Sequence, residues 1–542
     1  PNVGRTVFAY DPRFGNMVTD TAPGNRVTAS YFDASVRDTS DVAPQHPRTS
    51  THYDVLNRVT AAHNGLIDTD SVAISYDALL PVAVRDPSSH VDSTEYDALG
   101  RVTRHFGYAS STTPTTIRYD AASEPTSGTN RRGQRIDVTY DTLGRVLTKT
   151  ADGVTDTFTY SADGLTQTAS NATSVVRTVS VPKALLDTVQ TTIRASGVAE
   201  HRYTVVHYHS KYSGGTDSTT ISSDGAPAQL VTRRYVSDST NGALKAIDLG
   251  STIGAGTFTS DVAGWRVGTS WPNASRTSSF LTTGTHAYET YGSLPFYAGY
   301  RVDSAGRILR DHRPDGGSSY NNRIFGYDEL GRYTGTTTVS ESAYPWACGG
   351  SGSFDPNYGQ VGCAIDSLPR PYVYSYDGVG NRVGTGITYN GVGDQVSTSD
   401  GFSYTYDADG NVATRSQSST GTVWTYDWSS DNRLRSASST LYGIPNKMVS
   451  FDYGPLGSQV VKRDSAGSAT RVTRVTLYDG SSILADLDSA GNREAEYVYD
   501  EGTDRLYVML TGSTTVTGAR YYAQDDIGNV QDRDIFVLGC EC

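Results

Sequence analysis

Three histidines come closest to metal chemistry in this 542-residue chain: His201, His207 and His209, on the run His201-Arg202-Tyr203-Thr204-Val205-Val206-His207-Tyr208-His209. If the run is a strand, alternation puts all three side chains on one face, and His-x-His on a strand is a ligand pattern for zinc or copper. The other reading is three solvated or stacked imidazoles on a polar sheet face, and on that reading the chain carries no metal and no cofactor. Ser, His and Asp are plentiful, but no Gly-x-Ser-x-Gly elbow, His-Glu-x-x-His or phosphate-binding glycine loop occurs. The pairs Asp97 with Arg101 and Asp141 with Arg145 offer acid and base groups at fixed spacing. They recur in too many copies for each to be catalytic, and they read as turn caps and ladder pairs. The residues predict a protein that is not an enzyme.

Those pairs belong to a repeat. Tyr-Asp occurs twelve times, against about three expected from the frequencies of the two residues, and such an excess sets the architecture. The dipeptide carries a tail: Tyr96-Asp97-Ala98-Leu99-Gly100-Arg101, Tyr140-Asp141-Thr142-Leu143-Gly144-Arg145, Tyr327-Asp328-Glu329-Leu330-Gly331-Arg332 and Tyr406-Asp407-Ala408-Asp409-Gly410-Asn411. Looser copies run through Tyr10, Tyr53, Tyr376 and Tyr426. The pattern predicts a strand ending at Tyr, a turn in which the Asp carboxylate accepts from nearby backbone N–H groups and Gly supplies positive φ, and a returning strand. Copies at Tyr53, Tyr76, Tyr96, Tyr119 and Tyr140 lie 23, 20, 23 and 21 residues apart, which is one hairpin per repeat.

Segments between the motifs, such as Arg135 to Tyr140 and Arg471 to Tyr478, alternate polar and apolar residues and are rich in Thr, Val and Tyr, the signature of strands. Val181 to Ile193 is the best helical stretch, and its Thr and Val residues argue against it. Regular repeats occupy 1–165, divergent copies of the same sheet 166–300, and a second regular section 301–530, with a short tail at 531–542. Worn copies such as Asp303-Ser304-Ala305-Gly306-Arg307 carry the pattern across the middle. The predicted fold is all-β, a long array of antiparallel hairpins winding as one continuous curved sheet.

Composition bounds the partners. Only 36% of residues are hydrophobic and Tyr outnumbers Phe by 37 to 13, which suits sheet faces covered by ring bodies with their hydroxyls in water or on a partner. The formal charge of −13 argues against nucleic acid and against an anionic membrane. No apolar run reaches the roughly 20 residues of a membrane span. The start at Pro1 without a signal segment reads as a processed or truncated product. Cys348 and Cys363 bracket a Gly- and Ser-containing insertion; they read as a disulfide closing that loop, or else as two unrelated thiols.

Repeated Y-D-x-x-G-R-V resembles the YD/Rhs-repeat family, which includes bacterial Rhs toxins, the B and C components of insecticidal toxin complexes, wall-associated proteins and the teneurins. Ile483 to Asp488 through Tyr499, followed by Tyr521 to Val530, is similar to the stretch that leads into that family's core. The resemblance implies a hollow β-sheet shell that encloses a toxic polypeptide. The Asp-Pro-x-Gly type self-cleavage sequence and the toxin are missing from the matching positions, and Asp355-Pro356-Asn357-Tyr358-Gly359 is given no protease role. By strand spacing of about 4.8 Å the array makes a ribbon some 240 Å long, about one and a half turns around a lumen about 50 Å wide, and so an open or partial shell. The expected function is a structural shell around a polypeptide cargo, completed by further shell-forming segments; the alternative is a secreted or cell-surface adhesion scaffold that recognises glycans or another cell.

Overall fold

The computed structural model describes residues 6–537 except for 23–25, 44–47, 64–70, 108–111, 210–215, 227–229, 238–242, 252, 261–265, 272–273, 281–285, 292–296, 304–306, 315–319, 341–372, 391–393, 467–468, 500–505 and 525–529. Cys348, Cys363 and the Asp355 to Gly359 segment lie outside the described residues. The protein is all-β, built from antiparallel hairpins in which consecutive strands pair with each other. The stretch from Val181 to Ile193 is two strands, Ser174–Val181 and Leu186–Ile193, joined by a single 3-10 turn at Pro182–Ala184. Pro182 opens that turn and Leu185 ends it at φ 53°, so the chain reverses before a helix can propagate.

Strand formation follows from the alternation of Thr and β-branched residues. Directly opposed threonines bond across the ladder: Thr139 with Thr148 at 2.6 Å, Thr150 with Thr155 at 2.9 Å and Thr405 with Thr414 at 2.7 Å. Such pairs stabilise a sheet face that has no core to bury. At Tyr140, Tyr327 and Tyr406 the register shifts by a bulge, and the bulge turns the aromatic side chain toward the neighbouring hairpin.

The chain divides into two compact units. The first comprises 1–95, 259–269 and 275–394, and the second 96–258, 270–274 and 395–542. In the first unit, Val7–Tyr10, Met17–Ala22, Arg26–Phe32 and Asp38–Val42 form a four-stranded meander. Among the described residues, Ile324 is the only buried hydrophobic of this unit.

The second unit has two apolar clusters between strands far apart in sequence. Ile193, Tyr203, Val205, Ile221 and Leu230 pack against Val461, Val475, Leu477, Leu484 and Leu487. Ile247, Leu249, Phe258 and Trp271 pack against Val498, Tyr507, Val508 and Leu510. Each buried aliphatic chain contributes about 1.5–3 kcal/mol, so these clusters dominate the cohesion of the unit. Burial pushes the Tyr203 phenol up to about 12.

Elsewhere in the unit the contact is a polar seam. Arg132 Nε donates to Asp409 Oδ2 at 2.6 Å, its Nη1 to Trp428 O at 2.9 Å, and its Nη2 to Asn432 Oδ1 at 3.1 Å. Lys149 Nζ meets Asp431 Oδ2 at 2.7 Å, and Asn171 Nδ2 donates to Tyr453 O at 3.1 Å.

Candidate functional site

The repeat motif builds one recurring interlock. Within a copy, Asp97 Oδ1 accepts from the backbone N–H groups of Leu99 at 2.9 Å and Arg101 at 3.0 Å, while Arg101 Nε donates to Asp97 Oδ2 at 2.7 Å. Asp97 N donates to Arg101 O and Gly100 N to Asp97 O, both at 2.9 Å. One carboxylate thus organises five residues. The same bonds recur at Asp141 with Arg145 and at Asp328 with Arg332. Hydrogen bonds from the Arg37 and Arg101 side chains, joined by their backbone N–H groups, hold the Asp33 and Asp97 carboxyls below their ordinary values.

Arginine also reaches the next copy. The Arg101 guanidinium stacks over the Tyr119 ring at 4.6 Å and its Nη1 donates to Ser123 Oγ at 3.1 Å. Arg37 stacks over Tyr53, Arg58 over Tyr76, Arg145 over Tyr160, Arg307 over Tyr327 and Arg332 over Tyr376. The stacked tyrosine closes the contact, because its hydroxyl donates to a carbonyl of the preceding hairpin: Tyr76 to Val59 at 2.8 Å, Tyr119 to Val102 at 2.8 Å and Tyr327 to Ile308 at 2.9 Å. Each hydroxyl bond is worth about 0.5–1.5 kcal/mol and each stack about 0.5–1 kcal/mol. Arrayed along a sheet, they couple the arginine-bearing hairpins to their neighbours.

Asparagine at the arginine position keeps half of this device. Asn411 Nδ2 donates to Asp407 Oδ2 at 3.0 Å, as Asn381 does to Asp377 and Asn492 to Asp488. The short amide rebuilds the turn but carries no planar cation to lay on a ring.

The dipeptide alone misplaces several copies. Tyr426 lies inside the strand Thr422–Trp428, and the turn position is held by Trp428, whose Nε1 donates to Val412 O at 2.8 Å. Tyr426 and Trp428 share strand parity, and the aromatic nearest the turn takes the role. Tyr76 and Tyr478 precede two-residue turns in which Asp77 opposes Leu80 and Asp479 opposes Ser482, so their Asp residues are strand residues. Conversely, Asp33 and Ser161 cap turns of the same kind without the Tyr-Asp dipeptide, and Asp120 caps one in which Ser123 stands in place of glycine. An aromatic residue followed by a polar cap, as in Phe32-Asp33 and Tyr160-Ser161, would have found the two that lack the dipeptide.

Gly100, Gly144, Gly331 and Gly410 sit at φ 77°, 76°, 78° and 90°. A Cβ on Gly144 would lie 2.8 Å from Glu124 Oε1. Gly144→Val is expected to destabilise its hairpin by about 1–3 kcal/mol while leaving distant hairpins intact. Hydrogen exchange reads this directly: amides of Asp141 and Arg145 exchange faster, and a matching acceleration at Val508 would contradict the local coupling.

The three histidines share a face of the strand His201–His209 with Tyr203 and Val205, but their nitrogens are engaged separately. His201 Nε2 lies 3.1 Å from Ala490 O, His207 Nε2 2.9 Å from Asp479 Oδ1, and His209 Nε2 2.9 Å from Asp187 Oδ2. Among the described residues they do not converge as a ligand set. The hydrogen bond to Asp479 raises the His207 pKa against the opposing effect of burial. A raised folded value means that the contribution to stability is complete below the unfolded pKa of about 6.5 and is lost as pH rises through the folded value. The stability difference between the protein and His207→Gln should therefore shrink from acidic to alkaline pH; a difference independent of pH would refute the charged pair.

No family model and no curated protein matches the chain. Among solved structures, the chain is similar to the Tc holotoxin pore of Photorhabdus luminescens with a mutant TccC3, at 13% identity and TM-score 0.43, covering 98% of this chain and 32% of that one. It is also similar to TcdB2-TccC3 without its hypervariable C-terminal region, at 13% identity and TM-score 0.41, covering 98% of this chain and 27% of that one. The chain therefore spans less than two thirds of the length of either solved chain.

Proposed function

We propose that this chain is a wall segment of a β-sheet shell that holds a polypeptide cargo, and that it works as a structural element and not as an enzyme. The observation that carries this reading is the interlock of arginine over tyrosine between successive hairpins. It lets a sheet grow along one direction without a thick core, which is what a wall requires and a compact enzyme does not. The turn-cap chemistry uses its carboxylates and guanidinium groups on each other, leaving them as fasteners. The sheet faces, polar and tyrosine-bearing, suit a wet surface that contacts an unfolded chain without gripping it.

A protease-protection assay tests the proposal. An unstructured reporter polypeptide fused after Cys542 is expected to resist a protease that digests the free reporter, and to become sensitive when the repeats are unfolded by denaturant. Digestion at the rate of the free reporter overturns the container reading. If that result is joined by glycan binding of the chain, the cell-surface scaffold takes its place.

A further inference from the structure

We propose that Asp86, His90 and Asp394 of the first unit form a binding site for a divalent transition-metal ion of the zinc class. Asp86 and His90 occupy the positions of the turn motif that Asp and Arg hold elsewhere: Asp86 Oδ1 accepts from His90 N at 2.9 Å and Asp86 N donates to His90 O at 3.0 Å. In the arginine copies the residue four places after Asp brings a permanent cation to the carboxylate, as Arg58 does to Asp54 and Arg101 to Asp97. Here it brings an imidazole, and a second carboxylate joins from far along the sequence. His90 Nδ1 lies 3.0 Å from Asp86 Oδ2 and 3.5 Å from Asp394 Oδ2.

Two acceptor oxygens thus converge on one ring nitrogen, which can present a single proton or a single lone pair. A cation answers both carboxylates and the lone pair together. One ligand atom from each residue falls within a common 4.8 Å. Ligand atoms 2.0–2.1 Å from a tetrahedral ion stand about 3.3–3.5 Å apart, so the 3.0 Å pair must open slightly, the 3.5 Å pair already fits, and the widest pair closes from at most 4.8 Å. One nitrogen and two carboxylate oxygens suit zinc or its neighbours, with water in the remaining position. Calcium and magnesium prefer shells made of oxygen. The side chains are about three-quarters buried, at 21%, 27% and 22% exposure, which shields the charges while leaving the ion a path from solvent.

Zinc titration by calorimetry, with the cysteines alkylated, tests the site. His90→Arg restores the usual residue of the repeat, and Asp394→Asn removes a ligand charge with little change in shape. The protein is expected to take up one more zinc ion per chain than either variant. Equal uptake by the protein and a folded variant overturns the site, as does a protein that binds no zinc; circular dichroism of each variant establishes that it is folded, and either variant alone suffices.

Discussion

Replacing Glu496 by alanine is expected to destabilise the second unit by about 3–5 kcal/mol. Its side chain is 0% exposed, and so is that of Arg493, whose Nε stands 3.2 Å from Glu496 Oε2. Arg233, at 5% side-chain exposure, approaches Glu496 Oε1 at 3.6 Å, and Val231 N donates to the same oxygen at 2.8 Å. Burial pushes the Glu496 carboxyl up, and Arg233 and Arg493 pull it back. The pair of guanidinium groups also fastens backbone: Arg233 Nη2 donates to Tyr497 O at 2.7 Å and Arg493 Nη1 to Gly512 O at 3.2 Å. Alanine would leave two cations buried without their counter-charge, so the loss exceeds the worth of the pair itself. Denaturant unfolding followed by near-UV circular dichroism measures it. A change within about 0.5 kcal/mol, as at an ordinary surface site, would mean that the cluster does not hold the strands together.

Leu477→Ala should cost about 2–5 kcal/mol, because Leu477 is 1% exposed inside the larger apolar cluster and its removal leaves a cavity between packed strands. Leu143 provides the comparison, a leucine 74% exposed at a motif turn, where alanine should change stability by no more than about 0.5 kcal/mol. The two substitutions delete the same atoms, so the difference isolates burial. Equal effects in thermal or chemical unfolding would show that the second unit has no cohesive core and depends on its turns alone.

Turn chemistry was legible because it is local. Asp97, Gly100 and Arg101 lie within five residues, and every bond from the carboxylate to its own turn is made inside that span. The partner of each arginine, by contrast, is the next aromatic at a turn, and its distance along the chain varies. Arg58 reaches Tyr76 while Arg332 reaches Tyr376, so no fixed spacing reveals the stack. The same variability misplaced Tyr426: counting dipeptides cannot tell which of two aromatics of equal parity ends the strand.

Sequence by itself determined that this chain is all-β and hairpin-built, because alternation, Thr and Val content and the Asp-x-x-Gly turn act on neighbours a few residues apart. Only the tertiary structure decided where a core forms. Leu477 and Leu487 alternate with polar residues as the strands of a wet sheet do, and they are buried because Val205 and Ile221, more than two hundred residues earlier, lie in the same cluster. Arg132 sits in a turn of the motif's kind, from Asn130 to Gln134, yet its partner Asp409 stands 277 residues away. Burial and long-range pairing depend on which strands the fold brings together, and a period of two along one strand records only which side chains share a face.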